Sequence, residues 1–203
     1  MSSINAIKAM LEKCAADENI MPPTVLYNEG WMLRLVVQWF SEQNPSEHPL
    51  SFPEKSRWYS EALIPSAFLA RKRGDKLAES WTHADGVIGH FEIGKDKHKK
   101  TALSLLPGAT ALKVLEAKMF SRLSSGITHA RYYNQAARNI ACIAEILHLA
   151  EMHKIQTSIN TLAFYLIAPE SQIERGFFSK DLSKENIRIN VERRVNDHDS
   201  EHK

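Results

Sequence analysis

Two charged side chains close a mostly apolar run: Glu116 and Lys118 in ALKVLEAKM, residues 111–119. On a β-strand they share one face, because successive side chains alternate. Burying both is costly unless they pair or hold something. The spacing reads either as an ion pair at a strand end emerging into solvent, or as part of a site. Other polar groups weigh on that choice. Asp85 sits in THADGVIG, just before a glycine. Glu29 shares a helical face with Leu33, Val36 and Phe40, a carboxylate on an apolar stripe. Gln135 falls on a stripe with Arg131, Arg138 and Cys142, with Asn139 beside it. Between Lys118 and Gln135 runs a loop rich in hydroxyls (Ser121, Ser124, Ser125, Thr128), where exposed amides could meet a phosphate.

Other candidate chemistries fall away on inspection. His148, Glu151 and His153 have offsets that do not converge on one helical face, and no HExxH occurs. His83 shares the Asp85 side of a regular strand, where a structural role is the simpler expectation. GxxxxGK[ST], GxGxxG and GxSxG are all absent, which removes support for nucleotide-triphosphate, dinucleotide and serine-hydrolase chemistry. Arg71-Lys72-Arg73 and Lys95 to Lys100 (KDKHKK) could contact phosphates on either side of a cleft, although such runs are more often solvated turns. Arg131 and Arg138, sharing the Gln135 face, are the better phosphate ligands. Trp31, Trp39, Trp58 and Trp81 are expected in the core or at its edge.

At 203 residues the chain suits one domain around one core. A formal net charge of +2 gives no global basic field, so a nucleic-acid partner must be held by local patches. Cys14 and Cys142 make neither a disulfide framework nor a metal finger, which suggests a reducing compartment. The first twenty residues carry Glu12, Asp17 and Glu18 and do not resemble a secretory signal. With no apolar run long enough to span a bilayer, the expectation is a cytoplasmic protein with no membrane partner.

The elements that must position these residues follow from periodicity. Ile4, Ile7, Leu11 and Cys14 mark a short helix in an N-terminal segment, 1–22, which needs its own core or a second subunit to cover it. A helix capped by Thr24 and running to about Phe40 is expected next, then a Pro-rich loop over 41–57. A helical stretch from about Trp58, interrupted at Pro65, ends near Gly74. Ser80 to Ile93 and Thr101 to Leu106 are β-like, with KDKHKK a charged turn between them. Ala111 to Met119, mostly apolar on both faces, has the character of a central strand. A long helix is expected from about His129 to His153, a strand from Thr161 to Ala168, and a polar, frayed tail over 179–203. The order predicts an α/β domain over 23–178, a mixed central sheet flanked by helices.

With these residues in this order, the sequence resembles the PD-(D/E)XK nuclease superfamily. The motifs are Glu29 on a helix, Asp85 on a strand, Glu116-Ala117-Lys118 closing a hydrophobic strand, and Gln135 on the next helix as in RecB-like branches. Asn139 stands where many RecB-like relatives carry tyrosine, and the interval from Asp85 to Glu116 leaves room for a hairpin bearing KDKHKK. The resemblance implies a restriction-endonuclease-like αβββαβ core and a divalent-metal-dependent endonuclease of restriction, repair or defence type. DNA is favoured over RNA as the partner. It implies Asp85, Glu116 and the Ala117 carbonyl as ligands of Mg²⁺ or Mn²⁺, with Glu29, Lys118 and Gln135 completing the catalytic set. Arg131, Arg138, Ser124, Ser125 and Arg71-Lys72-Arg73 would contact nucleic acid. The rival expectation is a catalytically silent module that keeps the fold and binds nucleic acid or protein. A homodimer or a partner protein fits either reading, since no recognition domain is evident.

Overall fold

In the computed structural model, which describes residues 3–16, 28–70, 73–80, 82–95, 101–126 and 130–200, ALKVLEA forms the innermost strand. This is β5 (Ala111–Ala117), and every one of its seven residues is buried. Its neighbours are β2 (Thr82–Gly89), antiparallel, and β6 (Thr161–Ile167), parallel, while β1 (Arg57–Ile64) pairs antiparallel with β2. The result is a mixed four-stranded sheet in the order β1-β2-β5-β6. A parallel neighbour requires a crossover, and α3 (Gln135–Met152) supplies it between β5 and β6.

Adjacent residues of β5 face different cores. Leu112 and Val114 pack with Cys142, Ile143, Ile146 and Ala150 of α3. Leu115 and Ala117 pack with Leu33 and Val37 of α2 (Glu29–Gln43). One helix therefore covers each face, which is why β5 reads as continuously apolar. Lys113 and Glu116 are the exceptions, and the buried Lys113 ammonium donates to the carbonyl oxygens of Pro49 and Ser51. That contact pins the loop after α2 to the sheet.

Between β2 and β5 the chain makes a separate hairpin, β3 (Phe91–Lys95) with β4 (Thr101–Leu105), so the expected hairpin is present. Phe91, Leu103 and Leu105 carry it into the α3-side core. Gly89 makes the exit possible, because a Cβ there would lie 2.3 Å from the Ala111 carbonyl oxygen.

Several expectations are corrected. Arg57–Ile64 is a strand, not a helix; its exposure alternates, with Arg57, Tyr59 and Glu61 outward. Thr24 lies outside the described residues, and α2 is capped by Asn28, whose side chain accepts from the Trp31 N–H at 2.9 Å. Residues 41–43 still belong to α2, and α3 begins at Gln135 instead of His129. Trp31 and Trp39 are not core residues: with Leu35, one turn from each, they form an exposed face of α2. Trp58 is partly buried on the α2-side core, and Trp81 lies outside the described residues.

The segment expected as a tail contains α5 (Lys184–Ser200), after a short α4 (Glu170–Glu174). Asn190, Arg194 and His198 of α5, spaced by four, are buried. The N-terminal segment does form a helix, α1 (Ser3–Ala15). No described helix is long and apolar enough to cross a membrane.

Candidate active site

Glu116 is the sixth residue of β5 and is fully buried. Three side chains hold it. The Lys118 ammonium donates to its Oε1 at 2.7 Å. The Gln135 amide donates to the same oxygen, and the Asn139 amide reaches its Oε2 at 3.3 Å. Gln135 is the first residue of α3, fixed there by the Asn134 cap, whose side chain accepts from the Ala137 N–H. Gln135 is itself oriented by Ser124, whose N–H and hydroxyl both donate to its Oε1, at 3.2 and 3.1 Å.

Asp85 approaches from β2. Its Oδ2 accepts from the Ala117 N–H at 2.8 Å, bridging the two strands at the level of Glu116. The β1–β2 ladder passes from Ser60↔Gly86 to Ala62↔Ala84, and the residue between, Glu61, has φ +58°. Left-handed backbone at a non-glycine inside a strand is a strained feature, and here it lies opposite Asp85. Within a strand a residue's N–H and C=O leave on the same side, so the Ala117 carbonyl also leaves β5 toward Asp85.

Glu29, the first residue of α2, closes the remaining side. Its Oε1 accepts from the Met119 N–H at 2.8 Å and from the Ser121 hydroxyl, and its Oε2 lies 3.7 Å from the Lys118 ammonium. A carboxylate in the first turn also suits the positive end of the helix.

The electrostatics of this cluster are unbalanced. Three carboxyls (Glu29, Asp85, Glu116) face one ammonium, an excess of about two negative charges if all ionise. Burial, and next the negative charge of Asp85, push the Glu116 carboxyl up to about 8, outweighing the pull of Lys118. Asp85 also hydrogen-bonds the neutral Glu116 carboxyl, which adds to the upward shift of Glu116. Burial alone would lower Lys118, but the hydrogen bond and charge of Glu116, followed by Glu29, raise it. Glu29 stays below the usual carboxylate range, because the hydrogen bonds from Ser121 and Met119 and the charge of Lys118 overcome its burial.

The donor set fits a hydrated divalent cation. Two carboxylates and a main-chain carbonyl are hard ligands that leave positions for water, and a 2+ charge offsets the excess. Beside them the buried Oδ1 of Asn139 is an acceptor with no hydrogen-bond partner, a group that ordered water would satisfy. Among the described residues no three His, Cys, Asp or Glu side chains cluster closely enough to enclose an ion unaided.

Every residue of the expected catalytic set thus meets at one place: Glu29, Asp85, Glu116, Lys118 and Gln135. Asn139 and Ser121 join them. Asn139 was legible as the residue one turn beyond Gln135, but nothing in its type distinguished it from a solvated helix residue.

Of the expected phosphate ligands, Ser124, Ser125 and Arg138 line one cavity beside Gln135, and the others among the described residues lie apart from it. Ser125 and Arg131 are exposed on the loop before α3, Ser124 is tied to Gln135, and Arg73 sits in an exposed turn. Arg71 and Lys72 lie outside the described residues, as does most of KDKHKK. Arg138 is partly occupied: its Nε lies 2.9 Å from the buried Glu79 and an NH2 donates to the Ser80 carbonyl. His83 is exposed on β2.

No family model, no curated protein and no solved structure matches this chain.

Proposed function

We propose that the chain is a metal-dependent endonuclease of the restriction-endonuclease-like fold that hydrolyses phosphodiester bonds in DNA. One observation carries the reading: Glu116, buried at the end of the central strand, is hydrogen-bonded to Asp85, Lys118 and Gln135 in a pocket with surplus negative charge. The order of elements supports it. With the β3–β4 hairpin set aside as an insertion, the chain runs α2–β1–β2–β5–α3–β6, an αβββαβ succession around one mixed sheet.

Asp85, Glu116 and the Ala117 carbonyl would hold Mg²⁺ or Mn²⁺. When bound, the ion supplies the charge that polarises the scissile phosphate and acidifies the attacking water. The protein's own groups do the rest. Gln135 and Asn139 fix the Glu116 carboxylate by donating to its two oxygens. Lys118, kept charged by Glu116 and Glu29, donates to the attacking water or to the phosphate oxygens as charge develops there. Glu29 holds Lys118 in place and, through Met119 and Ser121, the turn that follows β5.

The test is incubation of the purified chain with plasmid and with single-stranded DNA plus Mn²⁺ or Mg²⁺, beside Lys118→Ala. Cutting that requires the ion and disappears in the variant is the expected result. If no condition yields cutting, or if Lys118→Ala cuts as well as the parent, the active-site reading fails and a silent binding module takes its place.

A further inference from the structure

A cavity of about 390 Å³ opens directly beside the catalytic cluster, between the start of β2 and the start of α3. Ser80 and His83 line it from the β2 side, Ser124 and Ser125 from the loop before α3, and Gln135 and Arg138 from α3. Gln135 belongs to both sites, since its amide donates to Glu116 while its side chain lines the cavity. Whatever fills the cavity therefore sits next to the group on which Glu116 acts.

The charge beneath the cavity is positive. Two guanidiniums, Arg138 and Arg194, share the single carboxylate of Glu79, at 2.9 and 3.9 Å. Glu79 and Arg194 have fully buried side chains, while Arg138 retains part of its surface at the cavity. Glu79 also accepts from the Ser66 hydroxyl at 3.0 Å. Arg194 gives one NH2 to the Leu77 carbonyl and stacks on Phe68, leaving its Nε and NH1 buried without a hydrogen-bond partner. This triad carries a net charge of about +1, and solvent meets it through Arg138. Exposed serine hydroxyls around a partly neutralised guanidinium are the donors that a phosphodiester and its sugar need.

Size narrows the ligand. The volume is at the small end of ligand pockets, which run from about 300 to 1,000 Å³, so the cavity takes one nucleotide and not a base pair. A paired nucleotide could enter only by leaving its stack, which costs a few kcal/mol. We infer that the cavity between β2 and α3 binds one unpaired nucleotide of the substrate strand, next to the scissile phosphate, with Arg138 and the serine hydroxyls on its backbone. The substrate class is then single-stranded or locally unpaired nucleic acid. This inference rests on the nuclease reading of the adjoining cluster.

Binding in EDTA separates the two claims, because it needs neither the ion nor cutting. The full chain is titrated with a fluorescent single-stranded DNA twelve-mer and with the same sequence fully paired in a hairpin. Three proteins are compared: the parent, Ser125→Asp and Glu116→Gln. Ser125 is exposed, so a carboxylate there repels phosphate without disturbing a packed core. The single strand should bind the parent at least about tenfold more tightly than the hairpin. That preference should persist in Glu116→Gln and collapse in Ser125→Asp.

Equal affinity for strand and hairpin, or a Ser125→Asp that weakens both alike or neither, overturns the inference. A preserved strand preference without cutting under any condition leaves the cavity standing and sinks the nuclease. Cutting without strand preference does the reverse.

Discussion

Glu116 ties the chemistry of this site to its stability. In the folded chain its carboxyl titrates near 8, whereas its ordinary value is 4.5. The folded state therefore binds a proton more tightly than the unfolded state. Stability is unaffected by this group below about 4.5 and falls as pH rises through the window up to about 8. The maximal slope is ~1.4 kcal/mol per pH unit, reduced by whatever solvent reaches the pair. Glu116→Gln keeps the shape but cannot ionise, so it should flatten this slope and unfold at higher urea than the parent above pH 8 in EDTA. Mn²⁺ should restore the parent's stability in the same range and do nothing for the variant. Urea midpoints with and without Mn²⁺ check both statements, and a parent curve that rises with pH over this window would contradict the burial argument. The residue types of this cluster were plain in the sequence: an acid two before a lysine at the end of an apolar strand. The upward shift of Glu116 was not, because it depends on burial in the folded core and on Asp85 arriving from a different strand.

At the scale of elements, legibility followed the kind of side chain that each element buries. β5 and α3 bury apolar residues and β6 partly buries them, and their positions were readable from the apolar pattern. β1 hid itself because Glu61, Ala62 and Leu63 are helix formers, although its alternating exposure is a strand pattern. α5 was harder still, since its inward stripe is Asn190, Arg194 and His198, and a search for apolar stripes passes over it. The start of α2 shows how a local cap serves the site. Asn28 accepts from the Trp31 N–H and fixes the first turn on which Glu29 stands. Asn28→Ala should cost about 1 kcal/mol of stability and also lower cutting by several-fold, because Glu29 then holds Lys118 and Ser121 less firmly. Ser41→Ala, which removes only a bond to the Gln38 carbonyl near the other end of α2, is the control. Its cutting should match the parent; equal loss in both variants would mean that α2 acts through general stability and not through Glu29.

For the molecule as a whole, the question is what joins the C-terminal helix to the sheet. Glu79 is the junction: it comes from the segment before β2, Arg138 from α3 and Arg194 from α5. Burial pushes the Glu79 carboxyl up, and the charge of Arg138 is the largest of the forces holding it down. Such a triad is a poor source of net stability compared with packed hydrocarbon, yet breaking it is expensive. Glu79→Ala would leave two guanidiniums facing each other, one of them fully buried. It should cost roughly 3–5 kcal/mol, and α5 should detach before the sheet unfolds, since Arg194 and His198 lie at the interior face of that helix. Hydrogen exchange reads this directly. Amides of 184–200 should lose protection while those of β5 keep theirs. Replacing all three partners by apolar residues of similar size should recover most of the lost stability, but not the strand preference in binding, because the guanidinium at the cavity would be gone. If exchange rises equally in α5 and β5, the helix is part of one cooperative core and the triad is only one of its contacts.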